Sequence, residues 1–262
     1  MTRSGYWACN EVTNLAPVVC GTGPRKNINS PFRLVWVCLM KDALFVSREN
    51  YLKAVLEAEA EGREVYPAAL AHWLEVSPPA VTMALKRLKR DGCVQVGADG
   101  IVRLTEVGRE TAYRTALRHH LIERMLSEDF GMEWYQIHEE AERLEHAVSP
   151  AFEAKLREKF GEGGACPHGN AVLPEPPAAR HARGELPLSD AEPGRNYTVV
   201  SFQERDAELL LQLHCAGIGP AVSMCVLGHG DDKSISFELS TGASSVSYAA
   251  AEAVWVRSTG SI

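Results

Sequence analysis

The residues best suited to chemistry are histidines and glutamates at helical spacing near the middle of the chain. His119 and Glu123 are four positions apart, so on a helix both side chains lie on one face and can reach one cation. A helix from Trp134 to about Val148 would place four more such residues on one stripe, namely His138, Glu142, Glu145 and His146. Imidazoles and carboxylates together suit a first-row divalent metal ion. A solvated surface helix is the competing interpretation.

The charge of the chain changes sign around these residues. The whole chain carries a net charge of -7. Residues 77–118 hold eight Lys or Arg against four Asp or Glu, whereas residues 123–163 hold eleven acidic against five basic side chains. A basic segment suits a phosphate backbone and an acidic one suits a cation, although surface helices of unrelated proteins also show such differences.

The basic segment begins with the pattern of a helix-turn-helix. Apolar positions at helical spacing predict three helices, which cover residues 48–61 with Ser47 as N-cap, residues 67–74, and Ser77 to about Arg90. The third helix carries hydroxyl and cationic side chains that suit bases and phosphates, namely Thr82, Lys86, Arg87, Lys89 and Arg90. Because paired helices joined by short turns are common, an ordinary helical hairpin is an alternative.

The residues that follow add a wing to this pattern. Two β-prone stretches, residues 93–96 and 101–104, flank a tight turn at 98–100. Thr105 is placed to cap a long helix that continues towards His119. The complete order is that of a winged helix-turn-helix, in which the third helix enters the major groove of DNA.

The composition limits the classes of protein to consider. With 262 residues, 45% of them hydrophobic and 23% charged, the chain has the make-up of a globular protein of two or three domains. No apolar run approaches the ~20 residues that a membrane span needs, so we expect no role at a membrane. The seven cysteines are scattered and form no CxxC pair. They argue against a disulfide framework and a cysteine zinc site and favour the reducing cytoplasm.

The flanking parts of the chain have other patterns. Residues 1–46 show no helical or alternating period, and residues 165–184 are rich in Pro, Gly and Ala, which indicates a linker. Beyond the linker, alternating or apolar stretches predict strands at residues 197–202, 222–227, 234–239 and 253–256, with a helix at 205–216. The C-terminal part is therefore predicted to be mainly β.

Three stretches carry a resemblance to a known family: LAHWLEVSPPAVTMALKRLKRDG, RHHLIERML and, above all, IHEEAERLEH ending at His146. In these the chain resembles the diphtheria-toxin-repressor family of iron- and manganese-dependent transcriptional repressors. The resemblance implies a homodimer that binds a palindromic operator in double-stranded DNA, with Mn²⁺ or Fe²⁺ as corepressor. It also implies that bases are read by Ser77, Pro79, Thr82 and Met83, and that phosphates are held by Lys86, Arg87 and Arg90.

The resemblance further implies two metal sites. The regulatory site would consist of Asn50, Glu142, Glu145 and His146, and the ancillary site of His119, Glu123 and His138. Asn50 stands where the family has Met or Asp, and Glu142 stands where the iron type has Cys. A carboxylate at that position favours Mn²⁺ relative to a thiolate site. Lys53 stands where the manganese type has a bridging glutamate, so we expect two separate sites rather than a paired two-metal centre.

The C-terminal part is similar to the SH3-like domain that these repressors share with ferrous-iron transport accessory proteins, through LSDAEPG and LHCAGIGPA. No ligand is predicted among Gln203, Glu204 and Asp206, and the stretch from Cys166 to Gly169 is predicted to be structural. The expected α+β architecture has an N-terminal extension (1–46), a winged helix-turn-helix domain (47–118), a helical metal-binding and dimerisation domain (119–164), a linker (165–184) and a small SH3-like β-barrel (185–262).

A metal-dependent repressor is therefore the function that we expect. A metal hydrolase would use similar ligands, but the chain lacks an HExxH motif, a nucleophile elbow and a phosphate-binding loop. A winged-helix regulator that does not respond to metal is the other alternative. Removal of metal by a chelator distinguishes the three classes, because it would abolish DNA binding in the first, catalysis in the second and neither in the third.

Overall fold

The helix-turn-helix forms as the sequence predicts. The computed structural model describes residues 48–260, so the predicted extension and the predicted cap Ser47 lie outside the described residues. The first three helices are α1 (residues 48–60), α2 (Pro67–Trp73) and α3 (Pro78–Arg90). The Ser77 hydroxyl accepts a hydrogen bond from the Ala80 amide and caps α3. The three helices share a buried core that includes Leu52, Leu70, Val81 and Leu88.

The wing and the long helix after it also match the prediction. Strands β1 (Val94–Val96) and β2 (Val102–Leu104) pair antiparallel. The Thr105 hydroxyl accepts a hydrogen bond from the Gly108 amide and caps α4 (Glu106–Glu128). This one continuous helix of 23 residues joins the wing to the predicted ligands. Neither α4 nor any other helix within residues 48–260 is long and apolar enough to cross a membrane.

The helix predicted from Trp134 to Val148 is wrong in its bounds. The observed helix α5 is Ile137–Leu144, and Glu145 and His146 lie in the turn that follows it. The predicted stripe of four ligands is therefore divided between a helix and a turn. A further helix, α6 (Pro150–Phe160), begins after this turn. Helices α4, α5 and α6 pack around a shared core that includes Leu117, Leu121, Ile137 and Leu156.

The aromatic residues before α5 pack against the C-terminal domain instead of extending the helix. The Trp134 ring stacks on Phe202 with 4.5 Å between the ring centroids, and Tyr135 stacks on His214 at 4.3 Å. Stacked aromatic pairs of this kind bury large apolar surfaces, which explains why tertiary packing overrides the helical periodicity here. The helical domain and the C-terminal domain are joined at this contact.

The segment predicted as a linker, residues 165–184, is packed into the structure. Cys166 and His168 are buried, and the short helix α7 (Pro177–Ala182) places the Arg180 guanidinium 4.8 Å from the centre of the Trp255 ring. Proline and glycine in this segment serve tight turns that bring it against the C-terminal domain. Its composition therefore reflects turns rather than flexibility.

The C-terminal domain is built on one antiparallel sheet. Its strands are β3 (Glu185–Pro187), β4 (Asn196–Phe202), β5 (Ser223–His229), β6 (Ser234–Leu239), β7 (Gly242–Ser247) and β8 (Val254–Gly260), in the spatial order β3-β8-β4-β5-β6-β7. Helices α8 (Ala207–Cys215) and α9 (Tyr248–Glu252) complete it. The sequence does not predict β7, because its residues GASSVS lack an apolar alternation. The buried core includes Phe202, Leu213, Val226 and Phe237.

Candidate metal centre

The ligands predicted on α4 and α5 converge on the carboxylate of Glu123. The Glu123 Oε1 atom lies 3.1 Å from His119 Nε2 and 3.1 Å from His138 Nδ1. Burial of Ile137 and Ala141 against α4 turns α5 so that His138 meets the two residues of the longer helix. The three side chains can each place one donor atom within 4.8 Å of the others. The structure thus brings the predicted ancillary set together.

Three residues that the sequence reasoning did not assign to a metal surround the same carboxylate. Cys166, His168 and Glu204 form a second group with Glu123 in which the donor atoms also lie within 4.8 Å of one another. The His168 Nδ1 atom lies 3.1 Å from Glu204 Oε2 and 3.5 Å from Glu123 Oε1. Because Glu123 belongs to both groups, we call the combined set the Glu123 centre: His119, Glu123, His138, Cys166, His168 and Glu204.

A tight turn positions the Cys166 and His168 side chains. The Gly169 amide donates a hydrogen bond to the Cys166 carbonyl oxygen at 2.8 Å, and Gly169 has φ of 86°. A Cβ atom at this glycine would lie 1.9 Å from the carbonyl oxygen of Val200, so a side chain does not fit. The sequence contains a signal for these ligands, because a cysteine and a histidine stand two residues apart and are followed by glycine. On the sequence alone, this stretch is instead predicted to be structural.

The buried polar atoms of the Glu123 centre fit a metal ion. His168 is fully buried, and its Nδ1 atom faces the Glu204 and Glu123 carboxylates and lies 3.7 Å from Cys166 Sγ. An imidazole nitrogen that faces carboxylates and a thiol is well placed to coordinate a first-row divalent ion together with them. The Cys166 Sγ atom lies 3.6 Å from Glu204 Oε2, a contact between two groups that both coordinate metals when deprotonated.

Imidazoles balance the carboxylates of the centre. Burial disfavours the charged form of Glu123, but the positive charge of His119 and its hydrogen bond hold the pKa of Glu123 well below its usual range. Burial likewise opposes protonation of His168, yet hydrogen bonds to Glu123 and Glu204 raise the pKa of His168 to about 10. Burial, reinforced by Glu204 and Glu123, raises the pKa of the Cys166 thiol. A cation that takes these ligands must therefore displace protons from them.

The predicted regulatory ligands are only partly brought together. His146 Nδ1 lies 2.8 Å from Glu49 Oε2, and His146 Nε2 lies 2.8 Å from Asn50 Oδ1 and 3.2 Å from Glu145 Oε1. The Glu142 side chain lies apart from these contacts and is 54% exposed. Helix α1 and the turn after α5 are thus in direct contact through Asn50, Glu145 and His146.

A polar cavity connects the Glu123 centre with the predicted regulatory ligands. Its volume is about 680 Å³, and it lies between α1, α5, the 170–177 segment and the C-terminal domain. It is lined by residues of the Glu123 centre, such as His138 and Glu204, and by predicted regulatory ligands, such as Asn50 and Glu142. An ion can therefore reach the Glu123 centre through a cavity that carries carboxylates on its wall.

Helix α3 presents the predicted DNA-contacting side chains on its outer surface. Arg87 is half-buried, and the other predicted positions are exposed: Ser77, Pro79, Thr82, Met83, Lys86 and Arg90. Met83 is 64% exposed, which is unusual for so large an apolar side chain. The buried face of the helix carries Val81, Leu85 and Leu88, which hold it in the domain.

Comparison with known proteins identifies each part of the chain. Residues 43–100 match the model of the iron dependent repressor N-terminal DNA binding domain, and residues 105–174 match the iron dependent repressor metal binding and dimerisation domain. Residues 186–258 match the FeoA domain. These three matches follow the order of the winged helix, the α4–α6 helices and the C-terminal sheet.

Individual relatives agree with these matches. The chain is 31% identical to the iron-dependent repressor IdeR of Mycobacterium tuberculosis over 191 residues, which are 68% of this chain and 82% of IdeR. It is 35% identical to the diphtheria toxin repressor of Corynebacterium diphtheriae over 133 residues, 51% of this chain and 58% of that protein.

Solved structures have the same fold. A manganese-dependent transcriptional repressor in complex with manganese superimposes with a TM-score of 0.67 at 28% identity, covering 80% of this chain and 99% of the other. ScaR with bound Zn²⁺ gives a TM-score of 0.63 at 27% identity, covering 82% and 99%. The resemblance seen in the sequence is confirmed. The chain belongs to the iron-dependent repressor family, whose members are DNA-binding, metal-dependent transcriptional repressors and not enzymes.

Proposed function

We propose that this protein is a transcriptional repressor whose affinity for DNA is set by a divalent metal ion, Mn²⁺ or Fe²⁺, at the Glu123 centre. The observation that carries the proposal is the convergence of five potential ligands from α4, α5, the Cys166–Gly169 turn and the C-terminal domain on the buried carboxylate of a sixth, Glu123. Imidazole, carboxylate and thiol donors together suit a first-row divalent ion. When bound, such an ion supplies the positive charge that holds these parts of the chain together.

The C-terminal domain offers a route from the Glu123 centre to the DNA-reading unit. Glu204 is part of the centre, and the next residue, Arg205, places its Nη2 atom 2.8 Å from Glu57 Oε2 on α1. A second carboxylate oxygen, Glu61 Oε1, lies 3.7 Å from the same nitrogen. A metal ion that fixes Glu204 also fixes Arg205, and so favours one placement of α1. Metal thus shifts the population towards the arrangement that binds DNA.

Two chains act together on DNA in this proposal. A homodimer in the cytoplasm presents two copies of α3 to a palindromic operator, with half-sites about one helical turn apart or a multiple of it. The exposed start of α3, with Thr82 and Met83, suits base edges in the major groove. Lys86 and Arg90 lie further along the exposed face and suit phosphates.

Metal-controlled DNA binding by the full-length chain tests the proposal. An operator is first selected from a random DNA library in the presence of Mn²⁺, and its binding is then measured anaerobically in a gel-shift titration. We expect a chelator to abolish specific binding and buffered Mn²⁺ or Fe²⁺ to restore it. Binding that is unchanged by the chelator would contradict the proposal and would identify a metal-independent regulator.

A pair of cysteine variants connects this response to the Glu123 centre. Cys166→Ser removes a soft donor from the centre, so we expect more free metal to be required for half-maximal DNA binding. Cys215→Ser changes an exposed cysteine on α8 and serves as the matched control, with no expected change. Equal responses of the two variants would place the activating metal away from Cys166.

A further inference from the structure

A lysine side chain lies in the middle of the predicted regulatory set of ligands, which consists of Asn50, Glu142, Glu145 and His146. Lys53, on α1, is buried, with 7% of its surface exposed. Its Nζ atom lies 3.0 Å from Oε1 and 2.9 Å from Oε2 of Glu145, so the ammonium group contacts both oxygens of that carboxylate. The same atom lies 3.5 Å from His119 Nδ1 and 3.9 Å from Glu142 Oε1. A positive charge thus stands where the sequence predicts a metal ion.

The other donors of this set already have partners. Both ring nitrogens of His146 are in contact with oxygen atoms, one from Glu49 and one from Asn50. Glu142, the remaining member, is more than half exposed to solvent. Among the His, Cys, Asp and Glu side chains of the described residues, those that group closely enough to share an ion include none of Glu142, Glu145 and His146.

A second fixed cation borders the same set. The Arg118 Nη1 atom donates a hydrogen bond to the carbonyl oxygen of Glu145 at 2.9 Å and lies 3.6 Å from Glu49 Oε2. Arg118 is itself buried. The carboxylates that would attract a divalent ion are therefore neutralised by side chains of the protein.

A free divalent ion is at a disadvantage against these groups. A lysine attached to α1 loses only side-chain freedom when it meets Glu145, whereas an ion from solution also loses translational freedom and its hydration shell. An ion bound beside Lys53 would experience a like charge in a buried region where screening is weak. The arrangement therefore does not fit the metal that the sequence predicts for it.

We propose that the Lys53 ammonium group takes the place of a metal ion between α1 and the turn after α5, so that each chain binds one activating divalent ion, at the Glu123 centre. The inference rests on the proposed function and narrows it. Contact between α1 and Glu145 is then independent of metal, and the metal response passes through the C-terminal domain alone. Lys53 acts as a tethered cation that fixes the number of metal ions bound.

The number of Mn²⁺ ions bound per full-length chain tests this inference. It is measured anaerobically by isothermal titration calorimetry and by metal analysis after gel filtration. We expect one ion per wild-type chain and one per Lys53→Arg chain, since arginine keeps the positive charge. Lys53→Met removes the positive charge beside Glu145 and leaves its contacts with His119 and His146, so we expect two ions per chain. Circular dichroism and the elution volume show whether each variant is folded.

Two further variants keep the test decisive if Lys53→Met does not fold. Glu145→Gln and Glu142→Gln each remove one charge from the regulatory set. Glu145 Oε2 lies 2.7 Å from His119 Nδ1 and Glu142 Oε1 lies 3.8 Å from His138 Nε2, but neither change removes a ligand of the Glu123 centre. Each variant is therefore expected to bind one ion per chain, as the wild type does. Two ions per wild-type chain, with one of them lost in Glu145→Gln, would overturn the inference. A folded Lys53→Met chain that still binds one ion would overturn it as well. Failure of the proposed function is distinct, because it would appear as DNA binding that is indifferent to metal.

Discussion

Replacement of Glu123 by glutamine is the substitution that separates a metal centre from a merely structural cluster. Glu123 is 1% exposed and is shared by both groups of potential ligands. The amide of glutamine has nearly the same shape as the carboxylate, so the change removes a charge and leaves the packing close to that of the wild type. Any effect on metal binding therefore reports electrostatics and coordination.

The expected size of the effect follows from Coulomb's law. A carboxylate and a divalent ion about 4 Å apart interact by about 8 kcal/mol at an effective dielectric constant of about 20. Part of this is offset, because Glu123 also stabilises protonated His119 and His168 when metal is absent. A net loss of about 2 to 4 kcal/mol corresponds to metal binding that is weaker by about thirtyfold to about a thousandfold.

Intrinsic fluorescence provides the assay. The Trp134 ring lies 6.2 Å from the His168 ring, so a metal ion at the centre changes the surroundings of this indole. Mn²⁺ titrations with buffered free metal are compared for the wild type, Glu123→Gln and the control Glu142→Gln, whose side chain is exposed. We expect a large shift of the midpoint in the first variant and a shift below about threefold in the control. Equal shifts in both variants would refute the reasoning.

Three further predictions concern DNA readout, the Cys166–Gly169 turn and the route to α1. Thr82→Ala is expected to relax the preference for the operator sequence. Arg87→Ala is expected to weaken binding to specific and nonspecific DNA alike and to lower the salt dependence of that binding. Identical salt dependence of DNA binding in the two variants would contradict this division. Gly169→Ala places a methyl group against the Val200 carbonyl oxygen in a left-handed conformation, so thermal or urea unfolding should show a loss of about 2 to 5 kcal/mol. Arg205→Ala removes a partly exposed ion pair, so half-maximal operator binding should need about twofold to fivefold more free metal, and an unchanged midpoint would exclude this route.

Local periodicity predicts the parts of this protein whose geometry is set within one element. His119 and Glu123 share a helical face because they are four residues apart on α4, and that relation holds wherever the helix packs. The cap at Ser77 and the turn between β1 and β2 are likewise properties of neighbouring residues. The winged helix and the predicted ancillary ligands therefore follow from the sequence.

Tertiary contacts determine what the sequence could not. Glu204 joins the Glu123 centre because Phe202, two residues before it, stacks on Trp134, and a separation of 38 residues between Cys166 and Glu204 leaves no periodic signal. Helix α5 starts late because Trp134 is drawn to Phe202. The sequence likewise does not predict the contact between Lys53 and Glu145, because these two residues are 92 positions apart.

Anomalous diffraction from a crystal of the Mn²⁺-loaded protein tests the central claim most directly, because it locates the ion without reference to activity. Data collected on either side of the manganese absorption edge give a difference map in which only manganese contributes. We expect one strong peak per chain, within coordination distance of Glu123, His168 and Glu204. A peak between Glu145 and His146, with none at Glu123, would contradict it.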